Sequence, residues 1–262
     1  MWYLLYKLVR PILPISGGIA TWIIARFCDA EPQQAIAAAI AFALGTIGSS
    51  LYHYATANWM YTRKSERFKF KNPKALRFIG IIFFCLSLGI AAIWLPKLCA
   101  LIYIFDALAI IAYSLKLSAH WSTKNILMSI VCTTPIIIGW LAGTQTHPIV
   151  FWGMGLTSFA YLAREIVKDV KDIIANNGKR VTLPMVLGPE RALQLSGALL
   201  IIATFLLFGF LQFTKTTMQI SFASMSALVL LITGAMLIFS KKAGRCETQI
   251  QFAVVLMLFA LI

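Results

Sequence analysis

The chain has 262 residues, 60% of them apolar, and a mean hydropathy of +0.83, which excludes an ordinary water-soluble domain. Its formal net charge of +14 reflects 23 Lys and Arg against nine Asp and Glu. This composition predicts a multi-pass integral protein of the cell inner or plasma membrane, with its cations outside the hydrocarbon.

Nine apolar stretches are long enough to cross the roughly 30 Å of a bilayer's hydrocarbon core. In chain order, the predicted helices cover residues 8–28, 35–60, 76–95, 98–115, 125–143, 148–166, 191–213, 217–239 and 249–262. The sequence therefore predicts an all-α polytopic membrane protein. We expect one domain over residues 1–262, with about nine transmembrane helices around a central cavity.

The basic residues are divided unevenly between the predicted loops. Twenty of the 23 Lys and Arg fall in alternate loops, and only Arg26, Lys97 and Lys215 fall on the other side. By the positive-inside rule, the basic loops, which include residues 62–77 and 167–190, are cytoplasmic. The N-terminus is then cytoplasmic as well. Because this bias already accounts for the net charge, we expect no nucleic-acid partner.

A first polar cluster closes the second predicted helix. Asn58, Thr62 and Glu66 recur every four residues and so share one helix face. Arg67 opens the basic run that follows them. The cluster indicates a polar site at the cytoplasmic end of this helix.

The fourth predicted helix carries two weaker signals. Tyr113, Ser114 and Lys116 close it, a group that is more often an interfacial aromatic with a snorkelling lysine than a ligand site. Asp106 lies inside the same helix. Its carboxylate either orients a bound molecule or is satisfied by helix packing, and both interpretations stay open.

The strongest polar cluster ends the sixth predicted helix. Glu165, Asp169, Asp172 and Asn176 are spaced by four, three and four residues, which places them on one helical face. Such oxygen ligands suit Mg²⁺, which takes one or two carboxylates and completes its shell with water and phosphate oxygens. We expect this face at the wet edge of the bundle, where substitutions do not unfold the protein.

A second stripe beside these acids is basic and consists of Arg164, Lys168 and Lys171. Cations there would hold the remaining charge of a phosphate ligand. The alternative is a solvated helix end with alternating salt bridges. Two observations weigh against it: the chain has only nine acidic residues, and the segment runs into the turn Gly178-Lys-Arg-Val-Thr-Leu-Pro184 with further cations.

Several of these motifs resemble those of the UbiA superfamily of intramembrane prenyltransferases, over nearly the full length of the chain. REIVKDVKD at 164–172 with GKRVTLP at 178–184 is similar to the family's second Asp-rich motif and downstream turn. The similarity is greatest to the archaeal geranylgeranylglyceryl phosphate geranylgeranyltransferase branch. YSLKL at 113–117 resembles a Tyr-Ser-x-x-Lys stretch, and Arg10-Pro11 matches the usual opening.

The first motif departs from the family pattern NDxxDxxxD, because the chain reads NWMYTRKSE at 58–66. Asn58 matches the pattern, Trp59 and Thr62 replace two aspartates, and Glu66 replaces the third. With these carboxylates missing, we expect one strongly held Mg²⁺ or none, instead of two.

The resemblance implies an enzyme that moves an isoprenyl group from a prenyl diphosphate to a small or lipid-like acceptor within membrane lipid, with Mg²⁺ as cofactor. It implies that Asp169, Asp172, Asn58 and Glu66 are catalytic. It implies that Asp169, Asp172 and Asn176 bind the metal. The residues expected to hold the diphosphate are Lys116, Arg67, Arg164, Lys168, Tyr113 and Ser114.

Two other classes of protein remain open from the residues. One is a non-catalytic binder of prenyl lipids, a pseudoenzyme, which the altered first motif favours. The other is a lipid-phosphate transporter. A transporter would show broken helices and polar residues at the bilayer midplane, whereas the ionisable groups here lie mostly at one face.

Overall fold

Helices form the regular structure throughout the computed structural model, which describes residues 12–56, 73–115, 117–176, 180–213, 216–241 and 243–260. Nine helices in these ranges have 14 residues or more, and none of the described residues is in a strand. A 3₁₀ turn covers Leu117–Ala119. The α-helices are α1 (Ile12–Phe27), α2 (Pro32–Thr56), α3 (Pro73–Trp94), α4 (Lys97–Leu115), α5 (Trp121–Ala142), α6 (Ile149–Lys171), α7 (Ile173–Asn176), α8 (Leu183–Leu187), α9 (Pro189–Leu211), α10 (Thr217–Phe239) and α11 (Cys246–Phe259).

The all-α prediction is confirmed. Each of the nine predicted stretches overlaps one long helix of the described residues. Two boundaries differ in ways that affect the candidate site. The first is the start of α5, at Trp121 instead of residue 125, which moves Lys124 from a loop into the first turn of a helix. The second is the end of α6, at Lys171 instead of residue 166. Both changes bring charged residues into helices.

Six helices among the described residues, α2, α3, α4, α5, α9 and α10, are long and apolar enough to cross a membrane. Two more, α1 and α11, are apolar but shorter, and the last third of α6 is charged. Large apolar side chains lie on the outside, with Ile93 77%, Phe205 67% and Phe239 83% exposed. Such a surface suits lipid. The count of about nine crossings, the cytoplasmic N-terminus and the central cavity stay predictions.

Local sequence explains where several helices begin. Pro32, Pro73 and Pro189 each open a helix, at the position where a missing N–H costs no hydrogen bond. The start of α10 is a capping box, in which Thr216 Oγ1 accepts from the Gln219 N–H and Gln219 Oε1 accepts from the Thr216 N–H, both at 3.1 Å.

The chain divides into two compact units that interleave in sequence. The first unit contains the chain up to Ser118 together with Thr134–His147, and the second contains Ala119–Thr133 and the chain from Pro148 onward. The helix α5 therefore contributes to both. The division falls beside Pro135, which lies inside that helix and has no N–H to donate.

In the first unit, α2 packs against α1, α3 and α4, and α3 packs against α4. Two glycines allow α2 and α3 to approach closely, since a Cβ on Gly48 would lie 2.8 Å from the Gly80 carbonyl oxygen. Polar side chains also join the helices. The Ser87 hydroxyl of α3 donates to the Ala41 carbonyl of α2 at 2.7 Å.

In the second unit, α6, α9, α10 and α11 form a closed ring in which each helix packs against the next. One close crossing joins α9 and α10, where a Cβ on Gly197 would lie 2.6 Å from the Gly234 carbonyl oxygen. The Ser196 hydroxyl of α9 donates to the Ala163 carbonyl of α6 at 2.8 Å. This ring holds the charged end of α6 in place.

Candidate functional site

A buried ion pair lies in the second unit, between the first turn of α5 and the last turns of α6. Lys124 Nζ donates to Asp169 Oδ1, and Glu165 Oε2 lies 4.0 Å from the same nitrogen. The exposed fraction is 1% for Lys124 and 0% for Asp169. Full burial of a charge is costly unless a partner of opposite charge accompanies it. The two helices therefore depend on each other's charge at this point.

Buried polar atoms of three side chains in the second unit lack hydrogen-bond partners among the described residues. They are Asp169, through Oδ2, Asn125, through both amide atoms, and Thr182, through its hydroxyl. Asn125 follows Lys124 directly, and Thr182 follows Val181. Buried polar atoms are nearly always hydrogen-bonded to protein or water. Groups left unsatisfied in this way are free to bind a ligand, a metal ion or water.

The segment before α8 is attached to the same region of the second unit. The Val181 N–H donates to the Ala119 carbonyl at 3.0 Å, just before α5 begins. Two further cations, Lys168 and Arg180, are half-buried, and the charges of both act on Lys124. The Lys168 carbonyl accepts from the Asp172 N–H at 3.0 Å. Positive charge from α5, α6 and the segment before α8 thus converges here, which suits an anion.

Arg164 lies beside this cluster and is engaged with carboxylates. Its guanidinium contacts Glu165 Oε1 at 2.6 Å and Glu247 Oε1 at 3.0 Å. Lys171 reaches the other oxygen of Glu247 at 3.3 Å. With its amide oxygen turned toward Arg164, Gln251 accepts at 2.8 and 3.0 Å. These contacts tie α11 to α6, and the predicted role of Arg164 in holding a diphosphate stays a prediction.

The prediction that the acidic residues share one helix face is confirmed within α6. Glu165 and Asp169 share a face, but α6 ends at Lys171, and Asp172 is its C-cap with φ −99° and ψ 9°. The residues up to Asn176 form the separate short helix α7. The Asp172 N–H still donates to the Lys168 carbonyl at 3.0 Å, as in a helical turn. The extension of the face to Asp172 and Asn176 stays a prediction.

The prediction that Asp169 lies at the solvent-exposed edge of the bundle is wrong, because this residue is fully buried. The physical reason is the earlier start of α5, which brings Lys124 against the carboxylate. Asp172 is half-buried and fits the expectation better.

The other predicted residues divide between the first unit and undescribed parts of the chain. Ser114 is fully buried, and its hydroxyl lies 3.0 Å from His53 Nδ1. The Tyr113 ring centroid lies 5.4 Å from that of His53. Both residues take part in helix packing within the first unit. The residues outside the described ranges are Asn58, Glu66, Arg67 and Lys116, and the side chain of Asn176 is likewise not described.

The structure is compatible with both interpretations of Asp106, as a residue that orients a bound molecule and as one satisfied by helix packing. A side-chain hydrogen bond joins it to Thr134, in the same unit. Its Oδ1 atom is buried and has no partner among the described residues. One oxygen is thus satisfied by helix packing while the other remains available.

Spacing arguments missed Lys124, Asn125 and Thr182. Lys124 counted only as a loop cation, because the apolar run of α5 begins just after it. No sequence rule links it to Asp169, 45 residues further along. A Lys-Asn pair at the start of a membrane helix was the one available signal.

The fold and the site together define a polytopic helical membrane protein with a buried carboxylate among cations at one helix end. A model of the UbiA prenyltransferase family matches residues 69–256. The chain belongs to this family, as its motifs indicated.

Two relatives are named digeranylgeranylglyceryl phosphate synthase. That of Methanothrix thermoacetophila is 28% identical over 138 residues, which are 52% of this chain and 50% of that protein. That of Natronomonas pharaonis is 25% identical over 206 residues, 76% of this chain and 74% of that protein. The chain therefore spans about half of the first relative and about three quarters of the second.

Solved structures confirm the fold. One, of a digeranylgeranylglyceryl phosphate synthase in membranes, has a TM-score of 0.77 at 16% identity and covers 98% of this chain and 95% of that chain. A UbiA homologue from Archaeoglobus fulgidus bound to GPP and Mg²⁺ has a TM-score of 0.69 at 17% identity and covers 98% and 96%. Identity this low supports the shared architecture alone.

The donors of the cluster fit one Mg²⁺ ion. The described residues contain no group of three His, Cys, Asp or Glu side chains suited to a metal. Mg²⁺ needs only one or two carboxylates when substrate phosphates and water complete its octahedron. Asp169 Oδ2 is an unsatisfied oxygen of the required kind, and Asp172 follows three residues later.

Proposed function

We propose that this chain transfers an isoprenyl group from a prenyl diphosphate to a lipid-like acceptor inside the membrane, with Mg²⁺ as cofactor. The observation that carries the proposal is Asp169, a fully buried carboxylate with one unsatisfied oxygen in a region where Lys124, Lys168 and Arg180 supply positive charge. Family membership supplies the reaction class.

The chemistry requires a site that favours negative charge on the leaving group. The bond between C1 of the prenyl chain and the diphosphate oxygen breaks, and the electron pair leaves with pyrophosphate. An acceptor hydroxyl oxygen then bonds to the allylic carbon and releases its proton. Lys168 and Arg180 stabilise the charge that grows on the leaving oxygen, which is the contribution that accelerates such a step.

The metal would be held by Asp169 through Oδ2 and by Asp172. When bound, Mg²⁺ supplies positive charge to the diphosphate oxygens. The apolar outer surface of the helices lets the prenyl chain remain in a lipid-like environment during the reaction. Burial of Asp169 keeps bulk water from the metal-binding oxygen, which strengthens every charge interaction there.

The names of the relatives suggest which acceptor to test first. A digeranylgeranylglyceryl phosphate carries two prenyl chains on a glycerol phosphate. The corresponding acceptor therefore has a glycerol phosphate headgroup and one prenyl chain. We propose this class of acceptor for the present chain.

The test is to incubate purified protein with Mg²⁺, prenyl diphosphates of several lengths and a panel of acceptors. We expect pyrophosphate release and a product whose mass has increased by one prenyl group. Asp169→Asn should abolish most of the release. Lys241→Met is the matched control, because Lys241 pairs with Glu190 at 2.6 Å on the exposed surface.

A different outcome would favour the non-catalytic class. The chain would then bind a prenyl diphosphate but release no pyrophosphate with any acceptor. That result would refute the enzyme proposal and leave a prenyl-lipid binding protein.

A further inference from the structure

Lys124 is the largest of the fully buried side chains among the described residues. An ammonium group has three N–H donors. Within the described chain, Lys124 uses one of them in a hydrogen bond, to Asp169 Oδ1, and Glu165 Oε2 lies at the longer distance of 4.0 Å. The N–H donors of a buried ammonium that have no acceptor in the protein can donate to a further oxygen, such as that of a phosphate.

The neighbouring carboxylates show which one depends on Lys124. Glu165 is already matched by Arg164 at 2.6 Å. Asp169 has Lys124 as its cation on Oδ1, and its Oδ2 has no partner among the described residues. The ammonium therefore neutralises one carboxylate and keeps N–H donors that a phosphate oxygen can accept, so it can join a carboxylate to a phosphate as a bridging metal ion does.

The described part of the chain is poor in metal ligands. It has no cluster of three metal-binding side chains, and the whole sequence contains only nine acidic residues. A diphosphate carries about three negative charges near neutral pH, more than one Mg²⁺ balances. Fixed cations must supply the difference, and Lys124 is the one that already contacts the metal-binding carboxylate.

We propose that the Lys124 ammonium takes the place of a second metal ion, holding Asp169 through one oxygen and the substrate diphosphate through its remaining donors. The inference rests on the proposed function and goes further, since it assigns a role in anion binding to a residue of α5. It predicts that the chain binds diphosphate measurably without metal and needs one metal ion when metal is supplied.

The experiment uses inorganic pyrophosphate as the probe and full-length protein in lipid nanodiscs. Calorimetry measures pyrophosphate affinity in EDTA and in saturating Mn²⁺, and electron paramagnetic resonance counts the bound Mn²⁺. Lys124→Met should weaken binding in EDTA about tenfold or more, as expected on loss of a charge-assisted hydrogen bond. Mn²⁺ should restore the affinity of this variant to within about threefold of wild type, with one additional Mn²⁺ per chain at the freed carboxylate.

Further variants separate this role from a purely structural one. Lys124→Arg keeps the charge and should bind pyrophosphate in EDTA more tightly than Lys124→Met does. The double variant Lys124→Met with Asp169→Asn removes both charges and avoids an unpaired buried carboxylate, so we expect it to fold even if the single variant does not. It should bind weakly in EDTA and gain neither affinity nor an additional Mn²⁺. Lys241→Met, the exposed lysine of an ion pair, should change nothing.

Two results would overturn the inference and leave the proposed function intact. One is pyrophosphate binding to wild type only when Mn²⁺ is present. The other is undiminished binding in EDTA by Lys124→Met or, should that variant not fold, by the double variant. Wild-type protein that binds no pyrophosphate under either condition would refute the proposed diphosphate site itself.

Discussion

At the scale of single residues, the burial of Asp169 determines what its substitution does. Asp169→Ala removes the carboxylate that is hydrogen-bonded to the buried Lys124 and leaves only Glu165, at 4.0 Å, which costs about 3–5 kcal/mol of stability. Asp172→Ala, at a half-buried C-cap, costs less than about 1 kcal/mol. Turnover should fall about 100-fold in both variants, the effect of removing a principal electrostatic contact. Thermal unfolding in detergent and pyrophosphate release measure the two effects separately.

A control for the stability effect replaces both members of the pair. Lys124→Met with Asp169→Leu removes the unpaired charge and should recover most of the lost stability, because a packed apolar pair can replace a buried ion pair. Equal stability loss in Asp169→Ala and Asp172→Ala would contradict the burial argument.

The candidate site was only partly predictable from single residues. Four-residue spacing places Glu165 and Asp169 on one face whatever the rest of the fold does, so that prediction was correct. Lys124 and Glu247 were out of reach, because their partners lie 45 and 83 residues away on other helices. Periodicity along one helix carries no information about contacts between helices.

At the scale of helices, the α9–α10 crossing should be intolerant of even one methyl group. Gly197→Ala places a Cβ 2.6 Å from the Gly234 carbonyl oxygen and should destabilise the protein by about 1–3 kcal/mol. Gly89→Ala is the matched control, since no atom lies within 4 Å of its Cβ. Alanine there is neutral or slightly stabilising, because it favours helix. The melting temperatures of both variants test this, and an equal shift would refute the close-approach explanation.

Helix ends were harder to predict than helix existence. Long apolar runs reveal α2 or α10 unambiguously, whereas the start of α5 lies in the polar stretch Trp121-Ser-Thr-Lys124. The number of apolar residues needed to cross the bilayer does not show how far a polar stretch beside them remains helical. The break after Lys171 was equally hidden, because helix-forming residues continue through it.

At the scale of the whole molecule, the orientation in the membrane is the main prediction to test. In a cysteine-free background, Val186→Cys lies on an exposed part of α8, and Gln145→Cys lies on an exposed turn after α5. An impermeant thiol reagent applied from outside should label Gln145→Cys and should reach Val186→Cys only after the cells are opened. The reverse pattern would invert the topology.

The division into two units was not predictable from hydropathy. Apolar length gives the number and order of helices, and it did so correctly for the nine long ones in the described ranges. It does not show that α5 contributes to both units, because that depends on which helices pack together.

The pairing of Lys124 with Asp169 has a consequence for how the protein is made. Lys124 leaves the ribosome 45 residues before Asp169, so at about 5–20 residues per second it waits some seconds for its counter-ion. A lysine in the first turn of a membrane helix avoids the cost of an unpaired charge in hydrocarbon by extending its ammonium toward the lipid headgroups. The arrival of α6 then draws it inward. We therefore expect insertion of α6 to fix the position of the first turn of α5.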